Sequence, residues 1–194
     1  MKRFAGFAML FCLFASFTYA QDAKTTTYFP MKKNSTWTYK SSQGEIVVKV
    51  VGTESVGGKT SWKLETTVNS KVAATELIEV REDGLYRQSI NGQKAETPIK
   101  FLKLPPAKGD SWEFDFKVQT QAIKGKYEIK EEDVTVPAGT YKAAKLVEAK
   151  DIMVGADKVT TKNWFAENVG IVKIQFSFAG QESVLDLVKY EEGK

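Results

Sequence analysis

The side chains of this chain that could perform catalysis are mainly carboxylates. The 194-residue sequence contains no histidine and a single cysteine, Cys12. A Ser-His-Asp or Cys-His arrangement, a histidine-ligated zinc ion and an imidazole acid or base near neutral pH are therefore excluded. The chemistry that remains is a carboxylate pair of the glycosidase type, a Ser-Lys pair, or chemistry carried by a bound cofactor.

The densest group of acids is Glu131-Glu132-Asp133, with Glu128 just before it. Glu128, Glu131 and Asp133 are the candidates if the protein is a carboxylate-based glycan hydrolase. Neighbouring residues of a strand point to opposite faces, so this run is more typical of a solvated strand end. No P-loop, dinucleotide-binding glycine motif or EF-hand spacing is present, so we predict no cofactor and no metal site.

Aromatic residues are the second group with a potential function. The sequence has four tryptophans, and one of them begins an alternating row in which Trp112, Phe114 and Phe116 are separated by charged residues. Such a row places aromatics on one face of a strand, where they form a core or line an apolar cavity or groove. The candidate core or cavity-lining residues are Trp37, Trp62, Trp112, Phe114, Phe116 and Trp164.

The first 20 residues have the pattern of a secretory signal peptide. Lys2 and Arg3 precede an apolar run, and small residues lead to a predicted cleavage site between Ala20 and Gln21. Cys12 lies inside the apolar run, so cleavage would leave a mature chain without a disulfide. We therefore predict an exported protein, periplasmic or extracellular, whose residues 21–194 form a single β domain.

The composition of that domain limits its partners. Without Lys2 and Arg3, 26 of the 28 basic residues remain against 24 acidic residues, a balance that argues against nucleic-acid binding. No second long apolar stretch follows, so we predict no membrane span after signal removal.

Period-two patterns recur along the rest of the chain. Besides the row at Trp112, they include Trp62 to Val68 and Val172 to Phe178, and turn signals such as Asp83-Gly84 separate them. These patterns predict about eleven or twelve antiparallel strands in a curved sheet or incomplete barrel. Residues 73–81 also fit a helical spacing, but a strand matches them better.

An internal repeat is indicated by matches that keep their order. Lys33 to Tyr39 aligns with Lys108 to Phe114, and Glu82 to Arg87 aligns with Glu167 to Lys173. We interpret them as two duplicated β-meanders, with chance reuse of turn dipeptides as the alternative. The repeat predicts a positive φ at both Gly84 and Gly170, and Pro137 and Gly139 predict a type I turn between two strands.

Three motifs resemble a widespread family of uncharacterised secreted bacterial β proteins. They are the Pro30 to Tyr39 segment with Trp-Thr-Tyr, the Val-Thr-Val-Pro-Ala-Gly-Thr-Tyr run that ends at Tyr141, and the run from Trp164 to Lys173. The sequence departs from the family pattern at Asn34 and at Glu167-Asn168, where glycine and Pro-Gly are usual. Since asparagine tolerates a positive φ, we expect both turns to form. The resemblance implies a fold similar to half-barrel lipoprotein carriers of the bacterial envelope, and it implies no catalytic residue.

These observations favour a non-enzymatic exported β protein that binds an apolar small molecule or an envelope protein. Two alternatives remain open: the carboxylate-based glycan hydrolase, and a structural or adhesive surface module.

Overall fold

The computed structural model describes residues 23–118, 121–154 and 157–194. The predicted signal peptide and its cleavage site at Ala20 and Gln21 lie outside the described residues. The described residues form twelve β-strands, and none of them is helical. The strands are β1 (Thr36–Ser41), β2 (Gly44–Val56), β3 (Lys59–Val68), β4 (Lys71–Arg81), β5 (Gly84–Ile90), β6 (Gln93–Lys103), β7 (Ser111–Val118), β8 (Gln121–Val136), β9 (Gly139–Val154), β10 (Asp157–Ala166), β11 (Gly170–Phe178) and β12 (Gln181–Glu191).

All twelve strands belong to one antiparallel sheet. Each strand pairs with its sequence neighbour inside two six-stranded meanders, β1–β6 and β7–β12, and β1 pairs with β12 to join them. The remaining two edges, β6 and β7, lie next to each other without a hydrogen-bonded ladder. The sheet is therefore a nearly closed barrel with one open seam, which confirms the predicted all-β incomplete barrel. Residues 73–81 lie in β4, as the strand interpretation predicted.

Most of the predicted turns form where the sequence placed them. Asn34 and Asn168 have φ values of 69° and 62°, so asparagine adopts the positive φ expected at both turns. Pro137 lies between β8 and β9, and Gly139 begins β9. Gly170, at the start of β11, has the predicted positive φ of 97°.

The prediction of a positive φ at Gly84 was wrong. Gly84 begins β5 and is not among the described residues with a positive φ. A Cβ atom at this position would lie 2.6 Å from the backbone oxygen of Leu102 on β6. Glycine is needed there because two strands approach closely, which a turn dipeptide alone does not reveal.

The barrel interior is packed around a large hydrophobic core. Its biggest fully buried side chains come from both meanders and from the segment before β1: Met31, Trp37, Ile78, Leu85, Leu102 and Phe165. A smaller cluster lies on β7–β10 and contains Phe114, Ile123, Ala149, Ile152 and Val159. Tyr127 packs against both clusters and connects them.

One end of the barrel, which we call the capped end, is covered by residues 24–35. Phe29 and Met31 are buried there, and the backbone N–H of Asn168 donates to the carbonyl of Thr27 at 2.7 Å. The β8–β9 turn also folds inward, since the N–H of Ala138 donates to the carbonyl of Leu187 at 2.9 Å. Hydrophobic side chains at this end are therefore sealed from solvent.

Candidate functional site

The opposite end, which we call the open end, exposes large hydrophobic side chains. Its described turns are those at 42–43, 69–70, 91–92 and 179–180. Among the described residues, six large hydrophobic side chains are exposed, and five of them lie close to this end: Val72, Ile90, Met153, Phe176 and Phe178. Exposed apolar side chains that gather in one region mark a candidate binding surface.

Three of these side chains lie on the inner face of the barrel. Phe178 pairs with Val159, a member of the smaller core cluster, and Phe176 lies two residues away on the same face. Ile90 pairs with Glu76 on β4, and Glu76 pairs with the core residue Leu64 on β3. Because paired residues share a face of the sheet, Ile90 also lies on the inner face. Side chains on this face normally fill the barrel, so their exposure shows that the interior is incompletely filled at the open end.

The open seam has a cause in the sequence of β6. On β5, Arg87 pairs with Ile99 while Ser89 pairs with Lys94, so the four residues 95–98 bulge out opposite a single residue of β5. Pro98 lies in this bulge, and proline cannot donate a ladder hydrogen bond. A bulged, proline-containing edge strand does not pair readily with a neighbour, and β7 accordingly remains separate.

A cavity of about 380 Å³ occupies the seam where it reaches the open end. Its apolar lining includes Ile90, Ala95, Ile99 and Phe116, and its polar lining includes Arg87, Lys94 and Lys117. Such a mixture of an apolar surface with a few polar groups is typical of small-molecule sites. A smaller cavity of about 250 Å³ follows the seam and is lined in part by Pro98, Trp112 and Phe114.

Arg87 is one of three positively charged residues that line the larger cavity. Its Nε lies 2.5 Å from Glu76 Oε1, and its guanidinium carbon lies 5.2 Å from the centre of the Phe101 ring. The Nε–H is buried and makes no hydrogen bond, so the contact with Glu76 is an ion pair without hydrogen-bond alignment. Burial raises the pKa of the nearby Tyr127 hydroxyl, and the charge of Arg87 offsets part of that rise.

Side chains bridge the seam where backbone bonds are missing. Trp112 Nε1 donates to the carbonyl of Lys100 at 3.0 Å, and Lys117 lies 3.7 Å from Glu96. At the loop between β6 and β7, Lys103 Nζ lies 2.6 Å from Asp110 Oδ1. The hydrogen bond from Lys103 is the main reason why the pKa of the Asp110 carboxyl is lowered, and the hydrogen bond from the Ala107 N–H lowers it further.

The six aromatic residues predicted from the sequence occupy different environments. Trp37 is fully buried, and Trp164 and Phe114 are almost fully buried, whereas Trp62, Trp112 and Phe116 are partly exposed. The indole N–H groups of the other three tryptophans also have acceptors. Trp37 donates to Val169 O at 2.6 Å, Trp62 donates to Lys24 O at 2.7 Å, and Trp164 donates to Glu132 Oε1 at 2.5 Å. Of the six, Trp112, Phe114 and Phe116 line the seam cavities.

The candidate hydrolase carboxylates lie on β8 and face solvent. Glu131 forms an ion pair with Lys145. Asp133 forms an ion pair with Lys142 and accepts a hydrogen bond from the backbone N–H of Ala143. The lysine hydrogen bonds are the main reason why the pKa values of Glu131 and Asp133 are lowered. A general acid needs a raised pKa, so neither group has the property that acid catalysis requires. Glu128 is also exposed.

Sequence reasoning missed the residues that shape the seam. Pro98 inside an otherwise alternating run was a readable signal of an edge strand. The position of Arg87 on the inner face follows from its pairing with the core residue Ile78 on β4, a partner that the sequence pattern does not reveal. Within the described part of the chain, no cluster of three or more possible metal ligands occurs, and no helix is long and apolar enough to cross a membrane.

Comparisons with known proteins agree with this architecture. Two solved structures each cover 87% of this chain with 100% of their own length, and their sequence identities are low. One is a predicted lipoprotein from Parabacteroides distasonis, with 15% identity and a TM-score of 0.51. The other is a predicted exported protein with a YmcC-like fold from Bacteroides fragilis, with 14% identity and a TM-score of 0.54. At these identities the likeness concerns the fold alone.

Among curated proteins, the sequence has no significant match. Residues 114–178, which extend from β7 to β11, match the family model described as DUF3108-like. The resemblance to a family of uncharacterised bacterial β proteins, predicted from the sequence, is thereby confirmed as a similarity to the DUF3108-like family.

Proposed function

We propose that this protein is an exported, non-enzymatic β-barrel that binds an apolar ligand at the open end of its barrel. The observation that carries the proposal is the exposure of inner-face side chains such as Ile90 and Phe176 at the open end, where Ile90 also lines the cavity of about 380 Å³ at the seam. Covering these side chains with an apolar ligand removes hydrophobic surface from water, which favours binding by about 25 cal/mol per Å².

Export is supported by the signal-peptide pattern of residues 1–20. It is also consistent with the description of both solved relatives as lipoprotein or exported protein. Intact-mass measurement of the protein isolated from its own host tests this part, with Gln21 expected as the first residue. A retained leader or an acylated cysteine would contradict it.

Ligand binding is tested with the protein purified from its host. Native mass spectrometry and solvent extraction are expected to reveal a bound apolar molecule, and the emptied protein is expected to bind the neutral dye Nile red. A clean protein mass together with no dye binding would overturn the proposal.

A matched pair of variants locates the site. Ile90→Ser removes an inner-face side chain that is 42% exposed, and Val188→Ser removes an equally exposed side chain outside the open end. We expect Ile90→Ser to weaken dye binding by about tenfold, because burying such a side chain is worth on the order of 1.5 kcal/mol. Val188→Ser is expected to leave binding unchanged. Equal losses would place the dye elsewhere on the surface.

The hydrolase alternative has less support from the geometry. Glu131 and Asp133 are engaged by lysines and have lowered pKa values. Turnover in a panel of envelope glycans that is lost when Glu128, Glu131 and Asp133 become amides would replace our proposal by this one. An envelope protein as partner, or a role as an adhesive module, would instead appear as a stable complex or as self-association in sedimentation experiments.

A further inference from the structure

The outer wall of β8–β10 carries a cluster of lysines around one buried carboxylate. Glu148 Oε2 lies 2.7 Å from Lys130 Nζ and 3.2 Å from Lys150 Nζ, and Glu148 Oε1 lies 3.7 Å from Lys162 Nζ. The side chain of Glu148 is only 4% exposed, whereas those of the lysines are 29–57% exposed. We call these four residues together with the exposed Lys126 the basic wall.

Strand register places the basic wall outside the barrel. Ile129 and Val147 are fully buried partners on the inner face, so Lys130 and Glu148, their neighbours along the strands, face outward. Lys162 pairs with Glu148 across the β9–β10 ladder and shares that face. The cluster therefore lies apart from the seam cavity and from the apolar side chains inside the open end.

The basic wall keeps an excess of positive charge. Burial of Glu148 opposes its ionisation, but hydrogen bonds from Lys130 and Lys150 outweigh burial and hold its pKa below the usual range. The exposed Glu128 pairs with Glu148 across the β8–β9 ladder and lies on the same outer face. The four lysines of the basic wall therefore face two carboxylates, which leaves a local charge of +2. This local excess contrasts with a formal charge of only +4 for the whole sequence.

An exposed apolar side chain lies beyond the basic wall. Met153, near the end of β9, is 48% exposed and lies five residues after Glu148, which corresponds to roughly 16 Å along the strand. Register places it outside the barrel, because it follows Ile152 of the inner cluster. Lysines beside an apolar side chain match an anionic bilayer, which offers charged headgroups above a hydrocarbon layer.

We propose that the basic wall docks the protein on an anionic phospholipid surface, with Met153 entering the headgroup layer. A nucleic acid would match the lysines but would leave Met153 exposed to water, so the lipid surface fits both features. This inference does not depend on the ligand proposed above, because it uses the outside of the barrel.

The test measures partitioning of the host-processed protein onto large unilamellar vesicles by co-sedimentation. Vesicles of phosphatidylcholine alone are compared with vesicles containing about 30% phosphatidylglycerol, at low and high salt. We expect binding only to the anionic vesicles and its loss at high salt, since surface charges are screened within roughly 10 Å at 0.1 M salt.

Two variants with opposite effects identify the surface. The K130Q/K150Q double variant leaves Lys162 to balance Glu148 and is expected to weaken partitioning about 30-fold, at about fivefold per lysine. Glu148→Gln removes the negative charge and is expected to tighten partitioning several-fold. The matched control is K40Q/K49Q, which removes two exposed lysines from β1 and β2 on the opposite wall.

Each other outcome overturns the proposal. Equal binding to both vesicle types would show an uncharged mode of adsorption. Equal weakening by the control variant would show a non-specific effect of net charge. Tighter binding to duplex DNA than to the anionic vesicles would identify a polyanion site instead. Circular dichroism of every variant confirms that the barrel is folded before binding is compared.

Discussion

The two meanders meet at two junctions, and these differ in how they are closed. At the β1–β12 junction a ladder runs from Thr36 to Lys40, and Trp37 is fully buried between Phe29 and Tyr190, with ring centres 4.8 and 5.2 Å away. At the β6–β7 seam no ladder forms. Its tryptophan, Trp112, is partly exposed and contacts β6 through a hydrogen bond to Lys100.

The sequence repeat makes the two junctions equivalent, because Trp37 and Trp112 occupy the same position of each meander. Two local features then account for the difference. Residues 24–35 supply Phe29 to cover Trp37, while β6 carries the bulge and Pro98 that prevent pairing with β7. One junction therefore stabilises the barrel, and the other leaves an opening beside a cavity.

The largest expected effect concerns the two tryptophans. Trp37→Ala removes a fully buried ring and its 2.6 Å hydrogen bond to Val169 O, so we expect the free energy of unfolding to fall by roughly 3–5 kcal/mol. Trp112→Ala is expected to cost less, about 1–2 kcal/mol, because part of its ring already contacts water.

Denaturant unfolding followed by circular dichroism measures both values. A loss at Trp112 as large as that at Trp37 would show that the seam is closed in solution, and the comparison of the two junctions would then fail.

The next effect concerns the glycine that lies against each junction. A Cβ atom at Gly170 would lie 2.8 Å from the Phe29 ring at a φ of 97°, and one at Gly84 would lie 2.6 Å from Leu102 O. We expect Gly170→Ala and Gly84→Ala each to lower the free energy of unfolding by about 1 kcal/mol or more.

The two glycines are distinguished by substitution with asparagine. Asparagine tolerates a positive φ, so Gly170→Asn recovers the backbone part of the loss, whereas Gly84→Asn recovers nothing. Urea midpoints of the four variants provide the measurement. If Gly84→Ala were stabilising, the close approach of β5 and β6 beside the seam would be contradicted.

Much of the fold could be predicted because β structure has a local signature. The period of two in Trp112 to Val118 and the turn signals between runs gave the strand number, and the repeat gave the two meanders. The exact register could not be predicted, since bulges such as the one at residues 95–98 reverse which face a later residue occupies.

The candidate site was less accessible to sequence reasoning. Phe116 was predicted as a core or cavity residue and does line the seam cavity, but Ile90 and Phe176 have the same pattern as buried core residues. Their exposure results from the missing cover at the open end. The lysines of the basic wall are also far apart in the sequence, and only the β8–β10 ladders bring Lys130 and Lys162 to one carboxylate.

A smaller effect on stability is expected when the pH is lowered and Asp110, beside the seam, becomes protonated. Because Lys103 and the N–H of Ala107 lower the pKa of Asp110, the ionised form stabilises the folded loop. This contribution is fully present above about pH 4, the ordinary pKa of an aspartate, and is lost as the pH falls through the lower folded value.

Hydrogen exchange of β6 and β7 amides, measured between about pH 5 and pH 3, follows this change. We expect the stability of these amides to fall towards low pH, after correction for the intrinsic exchange rate. In Asp110→Asn the fall should be reduced, because the amide oxygen still accepts the Ala107 N–H but does not titrate. An identical pH dependence in the variant would assign the acid sensitivity to another carboxylate.

The smallest effect is expected from the ion pair that crosses the seam near the open end. Lys117 and Glu96 lie 3.7 Å apart with 55% and 75% of their side chains exposed. Such a solvated pair contributes on the order of 0–1 kcal/mol, so Glu96→Gln should leave the free energy of unfolding nearly unchanged.

Glu96 also lines the larger cavity, and its neutralisation leaves Arg87, Lys94 and Lys117 without that negative neighbour. We therefore expect the variant to bind an anionic dye such as 8-anilinonaphthalene-1-sulfonate several-fold more tightly while its affinity for neutral Nile red stays the same. Because both dyes meet the same apolar lining, a parallel change for the two would mean that Glu96 controls the width of the seam through its pair with Lys117. The seam would then be held by that ion pair, and the weak electrostatic contact would matter more for access than the bulge at Pro98.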